Sequence, residues 1–144
     1  MDGISLGPLI FHWSGLLIVF GIAAGLLLAT LEAKYRNDDV EIIYDLFLPL
    51  IFWGTLGARL WHLLAPPLSS VELGLTTRYY FSHPLDALAL WNGGLGIPGA
   101  LIGGLFAVFL FARKNGLLFW NLADLLAPGL ALSQAIGRIG NYFN

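Results

Sequence analysis

The sequence predicts an all-α fold, a polytopic membrane protein of about four transmembrane helices. Of its 144 residues, 58% are hydrophobic and only 11% are charged, whereas soluble domains carry about 25% charged residues. The 18 glycines agree with this class, because glycine lets membrane helices approach closely. A helix needs about 20 apolar residues to cross a bilayer. The predicted spans of a single transmembrane domain are residues 9–31, 46–65, 87–112 and 117–136.

Charge and proline delimit the first two spans. No Asp, Glu, Lys or Arg stands between Asp2 and Glu32, so the first span occupies that stretch. The polar residues 32–45 are predicted to form a loop. The second span contains Arg59 and runs to the tandem prolines at positions 66 and 67, which cannot continue a helix.

The third and fourth spans follow a longer loop, residues 68–86. Trp91 stands at the head of the third span, as expected for an aromatic residue at a membrane interface. The basic turn 113–116 separates the third span from the fourth. The fourth span carries Asp124 and is followed by the tail, residues 137–144.

Lysines and arginines are distributed unevenly among the predicted loops. The first and third loops hold Lys34, Arg36, Arg113 and Lys114, whereas the second holds only Arg78. Since cytoplasmic loops carry the excess of basic residues, the first and third loops are predicted to face the cytoplasm. The N-terminus, the loop 68–86 and the tail are then predicted to lie outside.

The composition argues against several kinds of site. The chain has no cysteine, which excludes a disulfide framework, a thiolate metal site and an enzyme cysteine nucleophile. A net charge of −2 gives no support for nucleic-acid binding, which needs a basic face. No pair of the three histidines has metal-ligand spacing on one helix. We therefore predict neither a metal nor a cofactor.

A cluster of glycines opens the third span. Residues 94–99 match the dinucleotide pattern GxGxxG, but no predicted strand precedes them, so we reject a nucleotide site. The same glycines suit a helix start or a re-entrant turn that brings backbone N–H groups close to a ligand. Gly94 and Gly99 are therefore candidate substrate-binding residues, and helix packing is the alternative role.

Two arginines are candidates for binding an anionic lipid. Arg59 lies inside the second span near its outer end, where it either snorkels to the headgroups or binds a lipid phosphate. Arg138 stands in the tail with Asn141 and Asn144. A guanidinium fork matches a phosphate, and carboxamides bind glycerol or phosphate oxygens. The alternative for the tail is an interfacial arginine beside helix-capping residues.

The tail, GRIGNYFN, resembles the signature of the prolipoprotein diacylglyceryl transferases. In that signature, Gly-Arg-Ile/Leu-Gly-Asn-Phe is followed by a variable residue and Asn. Further segments resemble family motifs in the right order: HWSGL at 12–16, GARL at 57–60, GGL at 93–95 with Gly99, and DLLAP at 124–128. The resemblance implies the front half of a larger helical transferase bundle. It predicts that this chain is truncated at its C-terminus and inactive alone.

The resemblance also implies a reaction and its partners. The diacylglyceryl group of phosphatidylglycerol moves to the lipobox cysteine thiol of a prolipoprotein signal peptide, the first step of lipoprotein maturation. This would take place near the outer leaflet of the bacterial inner membrane. Pro98 stands where some family members have a histidine, so the base is not identified.

The resemblance assigns roles to the candidate residues. Arg138 and Asn141 correspond to the essential arginine and asparagine of the signature and are the predicted catalytic residues. The predicted phosphatidylglycerol-binding residues are Arg138, Asn141, Asn144, Arg59, Gly94 and Gly99. Two other functions stay open: a small transporter or channel fragment, and a lipid-binding remnant without catalysis. A transporter should carry a polar stripe along several helices, whereas polarity here concentrates at the outer end.

Overall fold

The computed structural model describes residues 3–6, 9–88 and 94–142, with side chains for residues 16–88 and 94–139. Within this part of the chain, a β-hairpin precedes a series of helices. The elements are β1 (Gly3–Leu6), β2 (Leu9–His12), α1 (Trp13–Arg36), α2 (Glu41–Leu64), α3 (Leu68–Glu72), α4 (Thr77–Ser82), α5 (Pro84–Leu88), α6 (Ile97–Asn115) and α7 (Phe119–Tyr142).

The predicted helical membrane architecture is confirmed. Three of the described helices are long and apolar enough to cross a membrane, over Leu16–Arg36, Glu41–Leu64 and Ile97–Asn115. The fourth predicted span corresponds to α7, which has 24 residues and contains Pro128. This helix is not among the three that meet the criteria of length and composition, so its membrane crossing stays a prediction.

The first predicted span differs from α1 at both ends. Residues 9–12 form β2, which pairs antiparallel with β1 in a register from Gly3↔His12 to Leu6↔Leu9. The run Leu-Ile-Phe in β2 suits a strand as well as a helix, so its hydrophobicity alone could not distinguish the two structures. At the other end, α1 continues to Arg36, whose Nε lies 2.7 Å from Glu32 Oε1. This i,i+4 ion pair supports the last turn.

The predicted loop 32–45 is much shorter in the structure, at residues 37–40. Asn37 has a left-handed backbone conformation, with a φ of 60°, and the Asp38 amide donates to the Ala33 carbonyl at 2.9 Å. A left-handed residue with such a hydrogen bond commonly ends a right-handed α-helix. Asp39 Oδ1 then accepts a hydrogen bond from the Glu41 amide at 2.9 Å, which caps the start of α2. Polar residues therefore end one helix and start the next within a few positions.

The third predicted span, residues 87–112, also begins too early. The helix α6 starts only at Ile97, with Gly96 as its N-cap and Pro98 in its first turn. Gly94 has a φ of +76°, a conformation that no right-handed helix contains. The predicted loop 68–86 holds α3, α4 and the start of α5.

The last helix is longer than predicted. The fourth span was expected to end at residue 136, but α7 continues to Tyr142. The two glycines of the tail do not end it, because glycine only weakens a helix by about 1 kcal/mol. Arg138 and Asn141 are therefore three residues apart in one continuous helix, a spacing that places two positions on the same helix face.

The chain divides into two compact units. The first unit comprises Met1–Tyr44 and Trp120–Asn144. Its buried cluster consists of Ala29 and Ala33 from α1, Ile43 from α2 and Leu125 from α7. The alanines on α1 leave room for the larger side chains, so the helices pack closely here.

Small residues also bring α1 and α7 together within this first unit. A methyl group added at Gly25 would lie 2.7 Å from the Gly129 carbonyl oxygen, and one at Gly21 would lie 3.2 Å from the Ser133 carbonyl oxygen. The Ser133 hydroxyl donates to the Gly21 carbonyl at 2.8 Å. Larger side chains at these glycines would push the two helices apart.

The second unit, Asp45–Phe119, contains most of α2, the three short helices and α6. Gly57 on α2 faces Gly99 and Gly103 on α6, with backbone against backbone. The ring of Trp53 contacts that of Phe106 edge to face, with centroids 4.9 Å apart. This close crossing places the end of α2 that carries Arg59 beside the start of α6.

Candidate functional site

Within the described part of the chain, the guanidinium of Arg59 binds backbone carbonyl groups of Asp86, Ala87 and Gly94. Its Nε donates to the Ala87 oxygen at 2.8 Å. One terminal nitrogen donates to the Asp86 oxygen at 2.6 Å, and the other donates to the Gly94 oxygen at 3.0 Å. The residue is only 5% exposed, so the side chain turns into the protein and does not snorkel to the headgroups.

His62 lies one helical turn beyond Arg59 and is equally buried. Its Nε2 lies 3.3 Å from the Tyr80 hydroxyl, and the two rings meet edge to face with centroids 5.9 Å apart. The Arg59 guanidinium carbon lies 5.7 Å from the centroid of the same Tyr80 ring. Tyr80 on α4 therefore packs against both Arg59 and His62 of α2.

A second tyrosine connects α4 to α5. The Tyr79 hydroxyl donates to Asp86 Oδ2 at 2.7 Å, and its ring stacks on that of His83 with centroids 4.3 Å apart. The hydrogen bond to Asp86 raises the pKa of the Tyr79 phenol above its ordinary value, with smaller contributions from burial and from the neighbouring charge. The phenol therefore stays neutral, and this bond persists, to a higher pH than for a free tyrosine.

These side chains surround a cavity of about 180 Å³. Its lining consists of Arg59, His62, Ser70, Leu75, Tyr79, Tyr80, Asp86 and Gly94. Hydroxyl, imidazole and carboxylate groups face the space, which exceeds the room that one water molecule needs. The cavity can therefore hold a small polar group that both donates and accepts hydrogen bonds.

Gly94 closes this cavity on the side of α6. A methyl group added to it would lie 2.6 Å from His62 Nε2 and 2.9 Å from a terminal nitrogen of Arg59. Two residues further on, the Gly96 amide donates to the Ala58 carbonyl at 2.9 Å. The start of α6 is therefore held against the end of α2, and position 94 has no space for a side chain.

Gly99 was predicted to bind substrate, but its described contacts are with α2. It is buried in the first turn of α6, where an added methyl group would collide with the Gly57 carbonyl and the Trp61 side chain. The described contacts of Gly99 are therefore those of helix packing, the alternative stated above.

The signature residues lie in the first unit, near the end of α7. The Arg138 side chain is exposed and forms no hydrogen bond or ion pair with any described residue. Asn141 belongs to α7, and Asn144 lies outside the described residues. Within the described part of the chain, no group of histidine and acidic residues could hold a metal ion.

Sequence reasoning missed Tyr79, Tyr80 and Asp86. All three residues lie in the predicted loop 68–86 and were not among the candidate site residues. A usable signal was present, because Arg59 and His62 are three residues apart and so share a helix face inside a span. Two polar residues on one such face predict polar partners, and the following loop supplies them.

Comparison with known proteins establishes the family. The sequence model described as prolipoprotein diacylglyceryl transferase matches residues 3–144. The chain belongs to the prolipoprotein diacylglyceryl transferase family. The resemblance seen in the motifs of this sequence is therefore confirmed.

Individual relatives agree with the family match. The phosphatidylglycerol–prolipoprotein diacylglyceryl transferase of Synechococcus elongatus is 38% identical over 141 residues, which cover 98% of this chain and 45% of the relative. The Bacillus licheniformis protein of the same name is 40% identical over 139 residues, covering 96% of this chain and 48% of the relative. This member of the transferase family thus spans a little under half the length of these curated relatives.

Proposed function

We propose that the whole protein containing this chain transfers the diacylglyceryl group of phosphatidylglycerol to the lipobox cysteine thiol of a prolipoprotein. The family match over residues 3–144 carries the proposal, and the relatives' names give the two substrates. The cysteine sulfur forms a bond to the carbon of the diacylglyceryl group that carries the phosphate. The bond from that carbon to the phosphate oxygen breaks. Glycerol phosphate leaves with the electron pair, and the thiol proton passes to a base.

Arg138 and Asn141 are proposed as the catalytic residues that bind the phosphate. Negative charge develops on the leaving phosphate as its bond to carbon breaks, and a preorganised cation lowers the free energy of that state. The exposure of Arg138 supports this role, because its donors are not used by described residues. Asn144 is proposed as a further phosphatidylglycerol-binding residue of the same signature.

Arg59, Gly94 and Gly99, a separate group in the second unit, are proposed to support transfer of the diacylglyceryl group from phosphatidylglycerol. An apolar groove of about 340 Å³ on the surface of α2, lined by Ile51, Phe52, Thr55, Leu56, Arg59 and Leu88, supports contact with lipid. Five of its residues belong to a candidate membrane span, so acyl chains are the expected neighbours there.

The reaction can be tested with the whole protein in vesicles. We expect transfer of a labelled diacylglyceryl group from phosphatidylglycerol to a lipobox peptide, detected by the mass increase of the peptide. A peptide with serine in place of the lipobox cysteine and vesicles without phosphatidylglycerol are the controls, and neither should give product. Binding of phosphatidylglycerol without transfer would contradict the proposal and indicate a lipid-binding protein.

The family match supports a location in the bacterial inner membrane, and the distribution of basic residues among the loops supports one orientation there. In this proposal, residues 32–43 and 113–116 face the cytoplasm, and the N-terminus, the loop 68–86 and residues 137–144 lie outside. Arg138 would then lie near the outer leaflet.

The absence of native cysteines allows a direct test of this orientation. In intact cells, a membrane-impermeant maleimide should fail to label Asn115→Cys and should label Leu73→Cys, because both positions are exposed in the protein but are proposed to lie on opposite sides. Labelling of Asn115→Cys in intact cells would reverse the orientation and place Arg138 on the cytoplasmic side.

A further inference from the structure

Arg59 joins two segments of the chain that are separated by residues 88–93. The Asp86 and Ala87 carbonyls belong to α5, and the Gly94 carbonyl precedes α6. The last carbonyl groups of a helix have no partner within that helix. The guanidinium therefore caps α5 and holds the chain before α6 at the same time.

The burial of this arginine makes its hydrogen bonds to carbonyl groups important for its stability in the fold. A charge removed from water inside a candidate membrane span costs several kcal/mol unless hydrogen bonds compensate for it. Arg59 is 5% exposed, and its hydrogen bonds of 2.6–3.0 Å to the carbonyls of Asp86, Ala87 and Gly94 use donors on all three nitrogens. Only a planar guanidinium presents donors in several fixed directions, whereas an ammonium group is a single point.

A backbone hydrogen bond is a second anchor, after Arg59, for the segment 94–96 that precedes α6. The Gly96 amide donates to the carbonyl of Ala58, the neighbour of Arg59, at 2.9 Å. Gly94 adopts a φ of +76°, and the collision of an added methyl group with His62 and Arg59 shows how closely the backbone approaches α2. Two consecutive residues of α2 therefore set the position of residues 94–96.

We propose that Arg59 is a positioning residue: it fixes the backbone before α6 through the carbonyls of Asp86, Ala87 and Gly94, and does not itself bind the substrate phosphate. This inference rests on the proposed function, since it specifies how one residue assigned to the phosphatidylglycerol site acts. The consequence is that Arg59 affects the rate of transfer through the placement of Gly94 and the start of α6, and affects lipid affinity little.

Amide hydrogen exchange tests the anchor without any need for catalysis. In the wild-type protein, we expect the Gly96 amide to be protected equally in vesicles with and without phosphatidylglycerol, because the partners of Arg59 are carbonyl groups of the protein. In Arg59→Lys, exchange at Gly96 should be faster by about tenfold or more, since loss of hydrogen bonds to a charged group opens this segment. Exchange in the α6 interior should not change.

The matched control is Arg113→Lys, which makes the same substitution at an exposed position near the end of α6 and should leave exchange at Gly96 unchanged. Protection of Gly96 that appears only when phosphatidylglycerol is added would overturn the inference, because it would make the lipid a partner of this site. This wild-type measurement decides the question even where Arg59→Lys fails to fold.

Kinetics separate positioning from phosphate binding. In the transfer assay, Arg59→Lys should lower kcat at least tenfold and leave KM for phosphatidylglycerol within about twofold, as expected when an interaction acts mainly on the transition state. A rise in KM as large as the fall in kcat/KM would indicate a phosphate ligand and refute the inference. Wild-type kinetics for Arg59→Lys would refute it as well. Absence of transfer by the wild-type protein would instead refute the proposed function.

Discussion

Arg138→Ala in the whole protein is expected to lower the rate of diacylglyceryl transfer by about 10²–10³-fold, the usual effect of losing a preorganised group that stabilises developing charge. Arg138→Lys should also be severely impaired, because lysine keeps the charge and loses the bidentate fork that matches a phosphate. The measurement is transfer of labelled diacylglyceryl to a lipobox peptide, with membrane insertion of each variant checked separately.

Arg78→Ala is the matched control for this experiment. Arg78 is also an exposed arginine on the proposed outer side, but it belongs to α4 and not to the signature. Its loss should change transfer less than about twofold, since exposed charges interact weakly. Near wild-type transfer by Arg138→Ala would contradict the assignment of the catalytic site to α7.

Gly94→Ala is expected to cause a large loss of stability, because a backbone contribution and a packing contribution add at this position. The left-handed backbone of Gly94 costs a residue with a Cβ about 1–2 kcal/mol. The added methyl group would also press on His62 and Arg59, and overpacking typically costs about 1–3 kcal/mol more. Unfolding of the purified variant in detergent, followed by tryptophan fluorescence, measures the change in the free energy of unfolding.

Gly74→Ala separates the two contributions. Gly74 has a φ of +80°, yet nothing lies within 4 Å of an added methyl group. Its substitution should therefore show only the backbone effect, about 1–2 kcal/mol. Equal destabilisation by Gly74→Ala and Gly94→Ala would show that position 94 tolerates a side chain and that the segment before α6 is not tightly held.

The helices were predictable because the bilayer selects for apolar length, a property of the local sequence. Their ends were less predictable, because they depend on short-range hydrogen bonds that hydrophobicity does not reveal. The bond from the Glu41 amide to Asp39 and the left-handed Asn37 reduce a predicted loop of 14 residues to four positions. Capping signals deserved more weight there than the presence of charge.

The candidate site was only half predictable. An arginine inside a span is conspicuous in any sequence, and Arg59 was identified for that reason. Its partners are backbone carbonyls of residues 27, 28 and 35 positions away. The pattern of side chains in a sequence does not predict which backbone carbonyl groups will lie close to an arginine. The carbonyl partners of Arg59 could therefore be found only from the fold.

The hydrogen bond between Ser133 and Gly21 has a consequence for biosynthesis, because its partners are 112 residues apart. Translation proceeds at about 5–20 residues per second, so α1 is made about 6–20 seconds before the helix that covers its glycines. During this interval, the surface formed by Gly21 and Gly25 lacks the partner that it has in the folded chain. Assembly of the first unit is therefore a late event in biosynthesis, since it has to wait for the synthesis of α7.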